Sequence, residues 1–364
     1  VARYQEVRRI LHDPMFSADR EQSTFVRRLR EAGAMAVTLD PDYFGRTLLG
    51  LDPPDHTRLR RLVGAAFTPR RVEGLEPGVA EVTDGLLDAL VGAGEVDLMA
   101  SFAAPLPVLV ISELLGLPAA DRDLLKKWSD DVALLLDPFP SPEAVAAFSA
   151  SLDEFHTYLT EQFEARRRQP RDDLISALVN ARDGDDALTE AELFSMVVLL
   201  VAAGHETTTN LLGNAAVVLT RFPDQRDRLL AEPGLTASAV EELLRFESPV
   251  QRTSRVATRP AEVGGVEVSE GDLIFLLLAA ANRDPEHFPD PDRLDLSRDN
   301  ARDHLAFGHG IHHCLGSPLA RLEGRVALSR LYRRFPRLEA NLDQLTWRPS
   351  IILRGPERLS VRLG

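Results

Sequence analysis

The stretch FGHGIHHCLG, residues 307–316, holds three histidines, three glycines and the only cysteine in 364 residues. A lone buried cysteine is usually a small hydrophobe. The neighbours of Cys314 point elsewhere. Gly310 and Gly316 permit close backbone approach to something large. Ser317-Pro318 reads as a cap followed by a helix-starting proline, and LARLEGRVALSRLYRRF continues as a helix. Cys314 therefore precedes a helix N-terminus, where free N–H groups and the dipole favour a thiolate. A thiolate is a nucleophile or a metal ligand.

Three chemistries compete for it. A zinc site from His309, His312, His313 and Cys314 would crowd four ligands too closely in sequence to surround one ion tetrahedrally. A catalytic cysteine needs a histidine brought close by the fold. A thiolate axial ligand to haem iron is the third, and electron donation from its sulfur favours O–O cleavage.

The rest of the chain bounds the choice. Charged residues make up 27% and the formal net charge is −14, which argues against nucleic acid as a main partner. One cysteine excludes an internal disulfide and any multi-cysteine zinc site. Residues 1–12 lack the apolar core of a signal peptide, and FSMVVLLVAAG (194–204) is too short to span a bilayer. A cytoplasmic protein with no membrane contact is expected.

Helical patterning dominates from YQEVRRIL onward, through HTRLRRLVGAAF, EVTDGLLDALV and LPVLVISELLG. Loops are expected through Gly33, Asp40, Pro41 and Gly45, and at DPFPSP (137–142). Thr189 and Glu192 form a capping box ahead of FSMVVLLVAAGHETTTNLLGNAAVVL (194–219), apolar nearly all round and so a central buried helix. Its middle, from Gly204 to Asn210, is abruptly polar. After residue 255, RPAEVGGVEVSEGDLIFLLLAA and the tail SIILRGPERLSVRL read as small antiparallel sheets.

The spacing of Phe307, Gly310, His312, Cys314 and Gly316 resembles the haem-binding signature of the cytochrome P-450 monooxygenases. The resemblance implies haem b (iron protoporphyrin IX) with Cys314 as the thiolate ligand. It places Phe307 beside the porphyrin near the sulfur and His312 at a haem propionate, and gives His309 and His313 no such role. Glu242 and Arg245 in VEELLRF are similar to the family's Glu-x-x-Arg pair. Arg293 in FPDPDRLDL is the matching third member of the network that anchors the cysteine loop, although Leu294 stands where phenylalanine is frequent. AGHETTT is similar to the family's small-Gly-x-acid-Thr motif. Breaking the O–O bond of dioxygen consumes two protons, so an acid that exchanges with solvent and an alcohol are needed. Glu206 and Thr207 fit those parts, and Ala203 and Gly204 leave room for dioxygen over the haem. Thr208 or Thr209 is expected to bond back to a helix carbonyl. His56 and Arg60, four apart in LDPPDHTRLRR, and Arg255 in RTSRVA match propionate partners, as two carboxylates require.

The resemblance runs nearly the whole length. It implies a mainly α fold with small antiparallel β-sheets and the haem between the central helix and the helix after the cysteine loop. Residues 1–364 are expected to form a single haem-thiolate monooxygenase domain, short at the N-terminus, and to be monomeric. By matching position the substrate pocket takes Leu199, Ala202, Ala203, Val250, Thr253, Ile351 and Ile352. The implied activity inserts one oxygen atom of O2 into an apolar or amphipathic small molecule, by hydroxylation or epoxidation, in secondary-metabolite tailoring or xenobiotic oxidation. With no flavin or nicotinamide stretch in the chain, electrons would come from a ferredoxin and its reductase, and Arg58, Arg61, Arg321 and Arg325 would form a docking patch. Two other readings stand beside it. A peroxide-driven peroxygenase is argued against by the acid–alcohol pair, and a non-catalytic haem sensor would need no proton relay.

Overall fold

The computed structural model describes residues 1–32, 47–133 and 142–364. The expected loops through Gly33, Asp40, Pro41 and Gly45 and across 137–141 lie outside the described residues. Helices α1 (Tyr4–His12) and α2 (Thr24–Glu31) lead into α3 (Asp55–Ala66), α4 (Pro69–Gly74), α5 (Glu76–Asp88) and α6 (Pro105–Leu115). Then come α7 (Arg122–Ala133), α8 (Pro142–Arg168), α9 (Leu174–Val179), α10 (Glu190–Arg221), α11 (Pro223–Ala231) and α12 (Thr236–Phe246). A short α13 (Leu278–Ala281) and the long α14 (Ser317–Arg334) complete the helical part.

The start of α10 follows its capping box: Thr189 Oγ1 accepts the Glu192 N–H at 3.2 Å and Glu192 returns a bond to the Thr189 N–H at 2.8 Å. Its 32 residues pack on α6, α7 and α14, so an apolar surface all round is buried on all sides. Helix α14 comes close to both α10 and α12. A Cβ at Gly324 would sit 3.2 Å from Val240 and 3.3 Å from Leu211.

Sheets are small and antiparallel, as patterned. Thr253–Ala257 pairs with Phe16–Ser17 on one side and Leu273–Leu276 on the other. Ala261–Val263 and Val266–Val268 form a hairpin, and Ser360–Arg362 lies between Glu95–Asp97 and Glu339–Ala340. The run LIFLLLAA divides: its end becomes α13 rather than strand. A large core surrounds α10, and a second cluster joins α1 to the three-stranded sheet. Among the described residues no helix is long and apolar enough to cross a membrane.

Candidate functional site

Cys314 sits ahead of α14, but the cap differs from the expectation. Gly316 is the N-cap and makes no side-chain bond; Ser317 already belongs to the first turn with Pro318. A glycine N-cap leaves the end N–H groups open, and those of Gly316 and Ser317 point at the sulfur. The thiol is nevertheless raised above its ordinary value. Burial outweighs those N–H groups and the charges of Arg60 and Arg321, all of which favour the thiolate. The side chain is accessible on its surface while lying deep in the fold. Gly310 serves a different neighbour from the one expected. At φ +72°, its absent Cβ would lie 2.8 Å from the Leu11 carbonyl, so the glycine lets the cysteine loop press against α1. At Gly316 the nearest atom to such a Cβ is the Cys314 sulfur itself, at 3.9 Å.

A group of donors converges near this loop. His56 is 2% exposed and Arg255 6% exposed, and the His56 and His312 rings lie 4.3 Å apart. Among the described residues the Nε2 atoms of both histidines are buried without a partner. The one side-chain hydrogen bond of Arg255 among the described residues goes to the adjacent Ser254 carbonyl, at 2.9 Å. Arg60 holds the His313 carbonyl at 2.7 Å. Burial pushes Arg255 down to about 10 and His312 down to about 4, and lowers His56 and Arg60 as well. Among the described residues Asp52 is the acid that raises His56, Arg255 and His312, and it already accepts the Ala18 N–H at 2.9 Å and the Ser17 hydroxyl. A buried guanidinium beside unpartnered imidazole nitrogens, each a donor when protonated, suits an anion with several acceptor oxygens. Two carboxylates of one rigid ligand meet that need, as haem propionates do.

The middle of α10 carries the abruptly polar band. Leu199, Leu200, Gly204 and Thr207 are partly accessible and Ala203 is exposed, within a stretch from Leu193 to Leu219 that is otherwise buried. Their spacing of three and four puts them on one face. Ala202 is buried, off that face. At Gly204 an added Cβ would meet Ile111 at an ordinary 3.6 Å. Thr207, not Thr208 or Thr209, bonds back along the helix, with Oγ1 donating to the Ala203 carbonyl at 2.7 Å. Thr209 Oγ1 is instead buried with no partner among the described residues. Glu206 is 2% exposed, and Arg348 Nη1 lies 3.0 Å from its Oε2 and 3.1 Å from its Oε1. Burial raises the Glu206 carboxyl to about 7, with Arg348 pulling it down and Asp130 pushing it up. His205, beside them, bonds Ser129 Oγ at 3.0 Å and is driven down to about 4 by burial. A carboxyl poised near neutrality can take and give protons at physiological pH.

Glu242 and Arg245 are both fully buried and paired at 2.7 and 2.9 Å. Arg245 also holds the carbonyls of Asn282 and Pro291, which fixes the chain ahead of the cysteine loop. The third member is Arg298 rather than Arg293. Arg298 Nε donates to Glu242 Oε1 at 3.2 Å, whereas the Arg293 side chain is exposed and only its carbonyl takes part, accepting from Arg298. Both arginines lie in irregular chain, where no periodicity tells which one turns inward. The expected docking patch is also altered. Arg58 pairs with Asp186 and Glu192, Arg61 with Asp183, Arg321 with Glu241 and Arg325 with Glu76, so each charge is already matched. Val250 bridges to Leu353 and the Gln251 N–H reaches the Ile352 carbonyl, which ties the chain just ahead of Thr253 to the C-terminal turn. Ile351 is 57% exposed.

A model of the cytochrome P-450 family matches residues 18–359. The chain belongs to the cytochrome P-450 family. This P-450 is similar to cytochrome P-450 107B1 of Saccharopolyspora erythraea, with 47% identity over all of this chain and 89% of that one. It is similar to the vitamin D(3) 25-hydroxylase of Pseudonocardia autotrophica, at 44% identity over all of this chain and 87% of the relative. Among solved structures it resembles the bacillaene polyketide synthase cytochrome P-450 PksS of Bacillus subtilis 168. The TM-score is 0.90 at 39% identity, over 100% of this chain and 90% of that chain. The protein is a P-450 monooxygenase, an oxidoreductase of the haem-thiolate class.

Proposed function

We propose that this P-450 inserts one oxygen atom of O2 into an apolar or amphipathic small molecule, by hydroxylation or epoxidation, in secondary-metabolite tailoring or xenobiotic oxidation. The observation that carries the reading is the opened face of α10 at Leu199, Ala203, Gly204 and Thr207, with a neutral-range acid, Glu206, directly adjoining it. Cys314 holds the haem iron, and the haem supplies dioxygen activation and the oxidising power. His56, Arg60, Arg255 and His312 bind its two carboxylates, and Phe307 covers the sulfur side. Glu206 takes protons from the solvent side, where Arg348 and Asp130 face it, and passes them to the site. Thr207, anchored on the Ala203 carbonyl, presents a hydroxyl oxygen as acceptor on the open face. Leu199, Val250, Thr253 and Ile352 surround the substrate and keep water out, with Ile351 at the rim. Electrons come from a ferredoxin and its reductase, and the protein works in the cytoplasm.

The pairing is tested by screening a panel of macrolides, steroids and terpenoids with a ferredoxin, its reductase, NADPH and O2. Mass spectrometry should show a product heavier by one oxygen atom, labelled from 18O2. Label arriving only from hydrogen peroxide would replace the proposal with a peroxygenase.

A further inference from the structure

Next to Glu242 on α12 stands a second buried carboxylate, Glu241. Glu241 is 4% exposed. Its Oε1 accepts Arg321 Nε at 2.7 Å, and its Oε2 accepts Arg321 Nη2 and His304 Nε2, each at 3.1 Å. His304 Nδ1 accepts the Ala306 N–H at 3.2 Å, so the ring proton resides on Nε2 and points to Glu241. Both partners of this carboxylate pack on one ring. Arg321 Cζ lies 4.5 Å from the Phe307 centroid, within cation–π range, and the His304 ring lies 5.5 Å from it. Phe307 in turn holds the cysteine, because its carbonyl accepts the Cys314 N–H at 2.9 Å. A guanidinium keeps one orientation over a ring when a two-toothed acceptor fixes its fork.

We propose that Glu241 is a positioning residue for the cysteine loop: it clamps Arg321 and His304 against Phe307, and so fixes the ring and the cationic charge beside Cys314. The inference rests on Cys314 being the iron ligand. Reduction adds an electron to the haem, and a fixed positive charge nearby favours it. Arg321 favours that reduction and the Glu241 carboxylate opposes it, so Glu241 acts through the place it gives the guanidinium over Phe307 and not through the net charge of the pair.

The test is spectroelectrochemical titration of the haem-loaded protein, together with the Soret position after reduction and CO addition. Wild type, Arg321→Met, Glu241→Gln and the double variant are compared. Arg321→Met should lower the midpoint potential. Glu241→Gln should shift both potential and band, and the double variant should differ from the sum of the single shifts. Additive shifts, or wild-type values accompanied only by a lower Tm, would overturn the proposal. If Glu241→Gln fails to hold haem, Arg321→Lys carries the test, since it keeps the charge and loses the fork. A displaced CO band is then expected, and a wild-type band and potential would overturn the clamp. A wild type without a thiolate-type band would be a different failure, removing the ligand assignment itself.

Discussion

Replacing Arg348 with methionine tests the electrostatics of proton delivery. Glu206 sits in the core with Arg348 as the cation on both of its oxygens, at 3.0 and 3.1 Å. Two unit charges about 4 Å apart at an effective dielectric near 20 interact by about 4 kcal/mol, which corresponds to about three pKa units. Arg348 is 31% exposed, so solvent screens part of that. A rise of about one to two units is expected. Starting from about 7, the Glu206 carboxyl of Arg348→Met should stay protonated through physiological pH. Infrared difference spectra over pH follow the protonated C=O stretch directly, and Glu206→Gln assigns the band. Stability moves with the same sign. The folded value lies above the ordinary 4.5, so this stabilising contribution is complete below about 4.5 and is lost as pH rises through about 7. Arg348→Met should carry that loss to higher pH. A wild-type band that titrates near 4.5, or one that Arg348→Met leaves in place, would refute the reasoning.

Three further outcomes follow from the same geometry. Thr207→Ala should uncouple NADPH consumption from product, and unchanged coupling in a product assay would remove the hydroxyl from the relay. Glu242→Gln strands Arg245 and Arg298 without their shared buried carboxylate and should cost about 3–5 kcal/mol in urea unfolding; a loss under about 1 kcal/mol would contradict a buried ion network. Arg255→Met removes one charged donor to a carboxylate, worth about 1.5–3 kcal/mol, so haem should transfer to an acceptor protein roughly 10- to 100-fold more readily.

The sequence was most legible where chemistry demands particular residue types at fixed spacing. Cys314 ahead of a proline-started helix, the capping box of α10 and the apolar length around AGHETTT all appear where pattern placed them. Pattern ran out where a side chain had several neighbours to choose from. Arg293 and Arg298 are five residues apart in irregular chain, and packing against Glu242 alone selects Arg298. Thr207, Thr208 and Thr209 are consecutive, so only the rotation of α10 decides which hydroxyl reaches a carbonyl. Gly310 reads as room for a ligand, yet its neighbour is the backbone of α1, some 300 residues earlier. Glu241 and His304 gave no signal, because an acid beside Glu242 reads as solvated and their meeting depends on long-range packing. The four arginines of the supposed docking patch illustrate the same limit, since their partners are distant in sequence.

The most direct measurement is the absorption spectrum of the haem-loaded protein, reduced with dithionite and exposed to carbon monoxide, beside that of Cys314→Ala. A strongly red-shifted Soret band in the wild type that is lost in the variant is the predicted result. A haem band without that shift, or one that survives removal of the only thiol in the chain, would contradict Cys314 as the iron ligand.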